Sequence, residues 1–252
     1  MKKSFAMILI IIVLLLTACT GGNTTLPPDT SGRNNPSTSI GITEDENNKS
    51  EAKQSNSVDE NKDITADFSD PIFLTYVREL VEKENTEPIL VSDVMNIDDV
   101  DVYNMNLTSL DGIEWFTALK RLICDYNQLT SLNISSNTKL GILRCSRNQL
   151  TTLDVSNNTM LVEIMCNSNN LTKLNVSNTT ELINLYCFEN QLAELNIGNS
   201  VKLQILDASY NEITKLDVSS NIVLETLNLS GNPLSKQDIV GLNEGRTTVD
   251  IE

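Results

Sequence analysis

From Leu119 onward one pattern recurs every 21 residues: L-x-x-L-x-C-x-x-N-x-L-T-x-L-[ND]-[VI]-S, with few substitutions. Its first leucine falls at Leu119, Leu140, Leu161, Leu182, Leu203 and Leu224, with no insertion or deletion between copies. A fixed period with fixed apolar positions is the signature of a solenoid, in which each repeat buries its core against its neighbours. Such a fold presents a long, rigid surface rather than a pocket. Binding is therefore the default expectation, and catalysis needs positive evidence.

Within each copy the residues around the second leucine read as a short parallel strand. Side chains alternate across a strand. Leu122, Leu143, Ile164, Leu185, Leu206 and Leu227 therefore point inward, and so do Cys124, Cys145, Cys166 and Cys187. The cysteine column has three readings: a ladder of small apolar side chains, a metal site, or disulfides between adjacent turns. Strands roughly 4.8 Å apart would allow a bridge by Cα spacing. Parallel side chains, however, hold their Cβ atoms farther apart than a bridge prefers, and Ala208 and Leu229 continue the same column. Packing is the reading adopted, with no metal. The asparagine column, Asn127, Asn148, Asn169, Asn190, Asn211 and Asn232, is assigned to satisfying backbone groups of a buried turn. The second half of the repeat alternates too and is too short for a full helix, so it reads as a strand-like second side. Its outward column, Asn133, Asp154, Asn175, Asn196 and Asp217, is read as a solvated surface rather than a calcium site.

The N-terminus is a processing signal. Lys2 and Lys3 precede an apolar run from Phe5 to Leu16, which is too short to span a bilayer. The run ends in Leu16-Thr17-Ala18-Cys19, which resembles the bacterial lipobox. That resemblance implies cleavage before Cys19 and lipidation of its thiol, and two acyl chains give stable anchoring. Residues 1–18 are thus expected to be a signal peptide. Residues 19–66 are expected to be the lipidated cysteine and a disordered tether, because the stretch is polar and lacks apolar periodicity. Its reach would be roughly 35–40 Å as a coil.

Loss of two lysines from 18 basic residues against 34 acidic ones takes the net charge from −16 to −18. That balance excludes nucleic-acid binding through a basic face and makes the lipid the expected sole attachment to the membrane. The chain has no histidine, which removes Ser–His and Cys–His nucleophile pairs. No enzyme activity and no cofactor are expected.

Asp70 as N-cap, Pro71 at the first helical position and apolar residues at Ile72, Leu74, Val77, Leu80 and Val81 predict a helix ending near Lys83. A second short turn is expected at Ser92–Met95. Residues 67–96 are read as a helical N-terminal cap. Residues 97–232 form about seven repeats, the first of them degenerate. Residues 233–252 form a C-terminal cap, with a capping box at Ser235 and Asp238 opening a short helix to about Asn243. Thr247 to Ile251 is expected to be a strand that closes the last turn.

These columns define a leucine-rich repeat. The expected architecture is a curved right-handed solenoid of the α/β class, β-dominated, with a parallel concave sheet and a strand-like convex side. The run from Leu107 to Leu119, Leu-Thr-Ser-Leu-Asp-Gly-Ile-Glu-Trp-Phe-Thr-Ala-Leu, resembles the first repeat of internalin-type proteins of Gram-positive bacteria. The 21-residue period with a cysteine in the strand is similar to their cysteine-ladder subtype. The resemblance implies a surface protein that binds through its concave face. No LPxTG motif occurs in these residues, so the N-terminal lipid is expected to replace wall attachment.

The aromatic residues of the repeats concentrate on the solvent-facing strand columns. Tyr103, Tyr126, Tyr186, Phe188 and Tyr210 all fall there, with Ile123, Arg144, Arg147 and Met165. Tyrosine, methionine and arginine are enriched at interfaces. These nine residues are the candidate binding face, centred on Arg144, Met165, Tyr186 and Phe188. The expected protein is a monomer on the extracellular face of the bacterial cell membrane that binds a protein or glycan ligand, in adhesion for example. The alternative is a spacer of the bacterium's own envelope without a tight foreign ligand.

Overall fold

The computed structural model describes residues 58–252. The leader, Cys19 and most of the expected tether lie outside the described residues.

The N-terminal cap is built on one carboxylate. Asp70 Oδ1 accepts hydrogen bonds from the Ile72 and Phe73 amides at 2.8 and 3.2 Å, and so opens α1 (Pro71–Leu80). Its Oδ2 accepts from the amide and hydroxyl of Thr108 at 2.7 and 2.9 Å. One side chain therefore caps the helix and ties it to the first repeat. Burial pushes the Asp70 pKa up, but these hydrogen bonds outweigh it and hold the carboxyl below its ordinary value. Phe73 and Val77 are fully buried; Phe73 packs edge-on against Phe68 and stacks with Phe116. α1 stops short of Lys83 because Glu82 turns left-handed at φ 56°. The buried Arg78 then donates to the Glu84 and Glu87 carbonyls and holds the returning chain. The second turn is α2 (Val91–Val94), where Asp93 accepts the Leu90 amide at 2.6 Å.

The folded part begins before residue 67. Ile64 is fully buried, and its amide donates to the Ile89 carbonyl at 2.8 Å. Asp63 bridges to Leu90, and Thr65–Asp67 forms a 3-10 turn. Residues 63–66 thus belong to the cap rather than to the tether. The reason is local: Ile64 and Phe68 are two isolated apolar anchors in a polar stretch, and composition averages over them.

The repeats contribute β1 (Asp99–Asp101), β2 (Arg121–Ile123), β3 (Ile142–Arg144), β4 (Thr152–Asp154), β5 (Glu163–Met165), β6 (Lys173–Asn175), β7 (Asn184–Tyr186), β8 (Ile205–Asp207), β9 (Leu216–Asp217), β10 (Thr226–Asn228), β11 (Ile239–Val240) and β12 (Thr248–Asp250). Eight of these form one parallel sheet in the order β1-β2-β3-β5-β7-β8-β10-β12. Leu122, Leu143, Ile164, Leu185, Leu206 and Leu227 are successive register partners, and all are fully buried. This is the parallel-sheet solenoid that the period predicts. The convex side is strand-like only in part. β4 pairs with β6 and β9 with β11, but the turn carrying Leu195 makes no strand between them.

At the C-terminus Ser235 and Asp238 form the capping box, with Asp238 accepting the Ser235 amide at 2.8 Å. The helix it opens is only the 3-10 turn Lys236–Asp238 and does not reach Asn243. Pairing with β9 draws Ile239 and Val240 into a strand instead. β12 does not merely close a turn: it adds the eighth strand to the concave sheet, with Leu227 opposite Val249.

The asparagine column holds the turns together. Asn169 Nδ2 donates to the Cys145 carbonyl of the preceding turn at 3.0 Å and to Cys166 of its own at 3.1 Å. Its Oδ1 accepts the Leu150 amide at 3.0 Å. Asn148, Asn190 and Asn211 repeat the arrangement. A second ladder runs along the convex turn. Asn158 donates to the Ile134 and Asn137 carbonyls, both at 2.9 Å, and Asn221 to Ile197 and Ser200. Thr179 and Ser200 fill its middle and contact each other at 3.2 Å.

The four repeat cysteines are fully buried and unbridged. Burial drives all four thiol pKa values far up. Asn169→Ala should leave the Leu150 amide unpaired in the interior and take one of two amide donors from each of the Cys145 and Cys166 carbonyls, lowering stability by about 1–3 kcal/mol, read by urea unfolding. The thiols stay protonated in the folded chain, while the unfolded chain releases them near pH 8.5. Stability should therefore fall as pH rises above that value. Cys145→Ala/Cys166→Ala should blunt the fall, which chemical denaturation between pH 7 and 10 can measure.

Candidate functional site

The concave sheet sorts the nine candidates into groups. Arg144, Met165 and Tyr186 are successive register partners along β3, β5 and β7. Phe188 lies two residues beyond Tyr186 on the same outward alternation. All four are half-buried, so they form one contiguous patch at the middle of the sheet. Arg144 is held in place by Glu163, its Nε and Nη2 reaching Oε1 at 3.0 and 2.9 Å. Burial raises the Tyr186 pKa, and Glu163 and Asp207 add to the shift. The phenol is thus neutral and hydrogen-bond competent across the physiological range.

Tyr103, Tyr126 and Arg147 make a separate stack toward the N-terminal cap. The two rings are 5.2 Å apart, and the Arg147 guanidinium lies 5.1 Å from the Tyr126 ring. Both tyrosines are about half exposed, at 52% and 44%. Tyr210 stands alone near the other end and is 61% exposed. Its ring covers Gly231, where a Cβ would sit only 2.6 Å from the tyrosine Cδ1.

Ile123 is a correction. It is 7% exposed and belongs with the buried residues rather than with the binding face. Strand alternation places it outward, but the surrounding side chains cover it.

The outward column at the start of each strand, which includes Ile142, Glu163, Asn184 and Ile205, also faces the concave side and is half-buried. Sequence reasoning passed over it because it carries no aromatic residue. The same alternation that exposes Tyr186 exposes Asn184, and that signal could have found it.

Backbone geometry marks a further column. Tyr126, Arg147, Ser168, Glu189 and Tyr210 all adopt left-handed conformations, φ 51–58°. The same column opens with Asn104 at φ 54° and closes with Gly231 at φ 71°, two residue types that tolerate this region.

The convex column has a local structural role. Asn133, Asp154, Asn175, Asn196 and Asp217 each accept the backbone amide two residues on, at 2.9–3.2 Å. These bonds close Asx turns. Beside them runs a groove of about 660 Å³ lined by Leu153, Lys173, Leu174, Glu194, Leu195 and Lys215. Among the described residues no cluster of three or more acidic or thiol groups is placed to hold a metal ion, and no helix is long and apolar enough to cross a membrane.

A sheet face with a half-buried aromatic centre and a polar border can dock a partner. Comparison with known proteins agrees with this class. A Leucine Rich Repeat family model matches residues 223–244. An internalin (inlF) structure from Listeria monocytogenes superposes with a TM-score of 0.60 at 25% identity, covering 70% of this chain and 54% of that one. An internalin C2 structure from the same species gives a TM-score of 0.54 at 21% identity, covering 77% and 99%. Internalin J of Listeria monocytogenes is 34% identical over 71 residues, which are 28% of this chain and 8% of internalin J. The matches thus span well under two thirds of inlF and of internalin J. The protein is a leucine-rich repeat solenoid of internalin-like fold.

A residue other than glycine or asparagine in the left-handed region costs on the order of 1–2 kcal/mol. Arg147→Gly should therefore raise stability by about 0.5–1 kcal/mol despite the freedom glycine gains on unfolding. Arg147→Val should lower it, since a β-branched residue fits that region worst. Thermal denaturation of the two variants checks the sign.

Proposed function

We propose that this chain is a lipid-anchored bacterial surface protein that binds a protein or glycan through its concave sheet, in an adhesive role. The observation that carries the reading is the contiguous Arg144–Met165–Tyr186–Phe188 patch. Aromatic and arginine side chains at the centre of a face, ringed by polar groups, are the usual anatomy of a binding surface. The internalin-like fold supports the same face and an extracellular setting. The lipobox-like Leu16–Cys19 supports the anchor, and the alignment of Cys124, Cys145, Cys166 and Cys187 supports the cysteine-ladder subtype. The chain is proposed to act as a monomer.

The test is crosslinking capture with the full chain. Wild type and Tyr186→Ala/Phe188→Ala are offered host extracellular material and the producing bacterium's own envelope fraction. Wild type should capture a partner that the double variant loses. Identical capture by both forms, or none by either, would overturn the concave site and favour the envelope-spacer role. The anchor is tested separately: Cys19→Ser should shift the protein from the membrane fraction to the medium, and mass spectrometry should find acyl groups on wild type alone.

A further inference from the structure

Resting on the concave-face reading, we propose that the partner is a cationic protein segment whose arginine or lysine side chains lie over the Tyr186–Phe188 patch. Three observations lead there.

The first is charge. The described basic side chains of the concave sheet lie toward the N-terminal cap, and two of them are neutralised locally. Arg121 pairs with Asp99 at 3.0 Å, and Arg144 with Glu163 at 2.9 Å. Beyond Arg147 no lysine or arginine occupies the outward columns of the sheet or the left-handed column beside them. Two carboxylates with no ion-pair partner among the described residues border the patch. Asp207 is the register partner of Tyr186, and Glu189 follows Phe188. Their hydrogen bonds come from neutral donors, the Ser209 hydroxyl and amide at 2.6 and 3.1 Å for Asp207 and the Ser168 hydroxyl at 2.6 Å for Glu189. A neutral donor leaves the carboxylate charge in place.

The second is how this chain treats its own exposed rings. The Lys62 ammonium sits 4.1 Å from the Trp115 ring, and the Arg147 guanidinium 5.1 Å from Tyr126. Tyr186, Phe188 and Tyr210 carry no such cation among the described residues. A partner that supplied one would complete the arrangement seen elsewhere, with an adjacent carboxylate to strengthen it.

The third is the remaining surface. The chain carries a net charge of −16, so an anionic partner is repelled at long range and a cationic one is drawn in. The convex groove sets Lys173 and Lys215 beside Asp154 and Glu194, so it offers no net negative charge to a cationic segment. Charge and aromatic chemistry therefore agree on one face and one class of occupant.

The test is fluorescence anisotropy on the full chain with labelled octa-arginine, and with octa-glutamate as the opposite-charge probe. Asp207→Asn/Glu189→Gln removes two concave charges. Asp154→Asn/Asp217→Asn removes two convex charges while keeping their turn-closing oxygens. The concave pair should weaken octa-arginine binding by about tenfold and the convex pair by less than about twofold. Tyr186→Ala/Phe188→Ala should also weaken it, with thermal midpoints showing each variant folded. Equal loss from both charge pairs, no octa-arginine binding, or octa-glutamate binding of similar strength would each overturn the proposal. A partner whose capture needs Tyr186 and Phe188, but is untouched by Asp207→Asn/Glu189→Gln, overturns the charge assignment and leaves the concave site standing.

Discussion

The carboxamide of the repeat asparagine is the interaction on which the rest of this structure depends. Each turn of a solenoid must fold back inside a crowded interior, where backbone amides and carbonyls cannot reach water. An unpaired buried group of that kind costs about 1–3 kcal/mol. Asn148, Asn169, Asn190 and Asn211 each meet three carbonyls and one amide, and the groups belong to consecutive turns. One side chain thus satisfies its own turn and sets the spacing to the next. The strand register follows from that spacing, and the outward columns of the concave sheet from the register.

The convex side shows the consequence of weaker fixing. There Asn137, Asn158 and Asn221 donate to carbonyls, but their Oδ1 atoms have no partner. Thr179 and Ser200 replace two members of the ladder with shorter hydroxyls. Over the same stretch the convex sheet is interrupted between β6 and β9. The continuous side is the concave one, and it holds Arg144, Met165 and Tyr186 in register across adjacent strands.

Much of the fold was legible because a 21-residue period repeats one local solution and averages out noise. The core leucines and the asparagine column could be placed by register alone, and the Asp70 cap by the Asp–Pro pair that opens the helix. Three features could not. Ile64 joins the cap by burial and through its amide bond to the Ile89 carbonyl, a contact between segments that no local pattern links. The C-terminal helix gives way to β11, because pairing with β9 outweighs a capping box that opens only a short turn. Ile123 is buried although alternation points it outward, because exposure depends on what lies above a residue as well as on its direction.

The sequence by itself determined the solenoid, its parallel sheet and the direction of nearly every side chain, since those follow from a fixed period and strand alternation. Only the tertiary structure decided which outward residues meet. It made Arg144, Met165, Tyr186 and Phe188 one patch, set the Tyr103–Tyr126–Arg147 stack apart, and paired Arg144 with Glu163 while Asp207 and Glu189 have no ion-pair partner among the described residues. Adjacency across turns is a matter of distances between groups 21 residues apart, and those distances exist only once the turns are stacked.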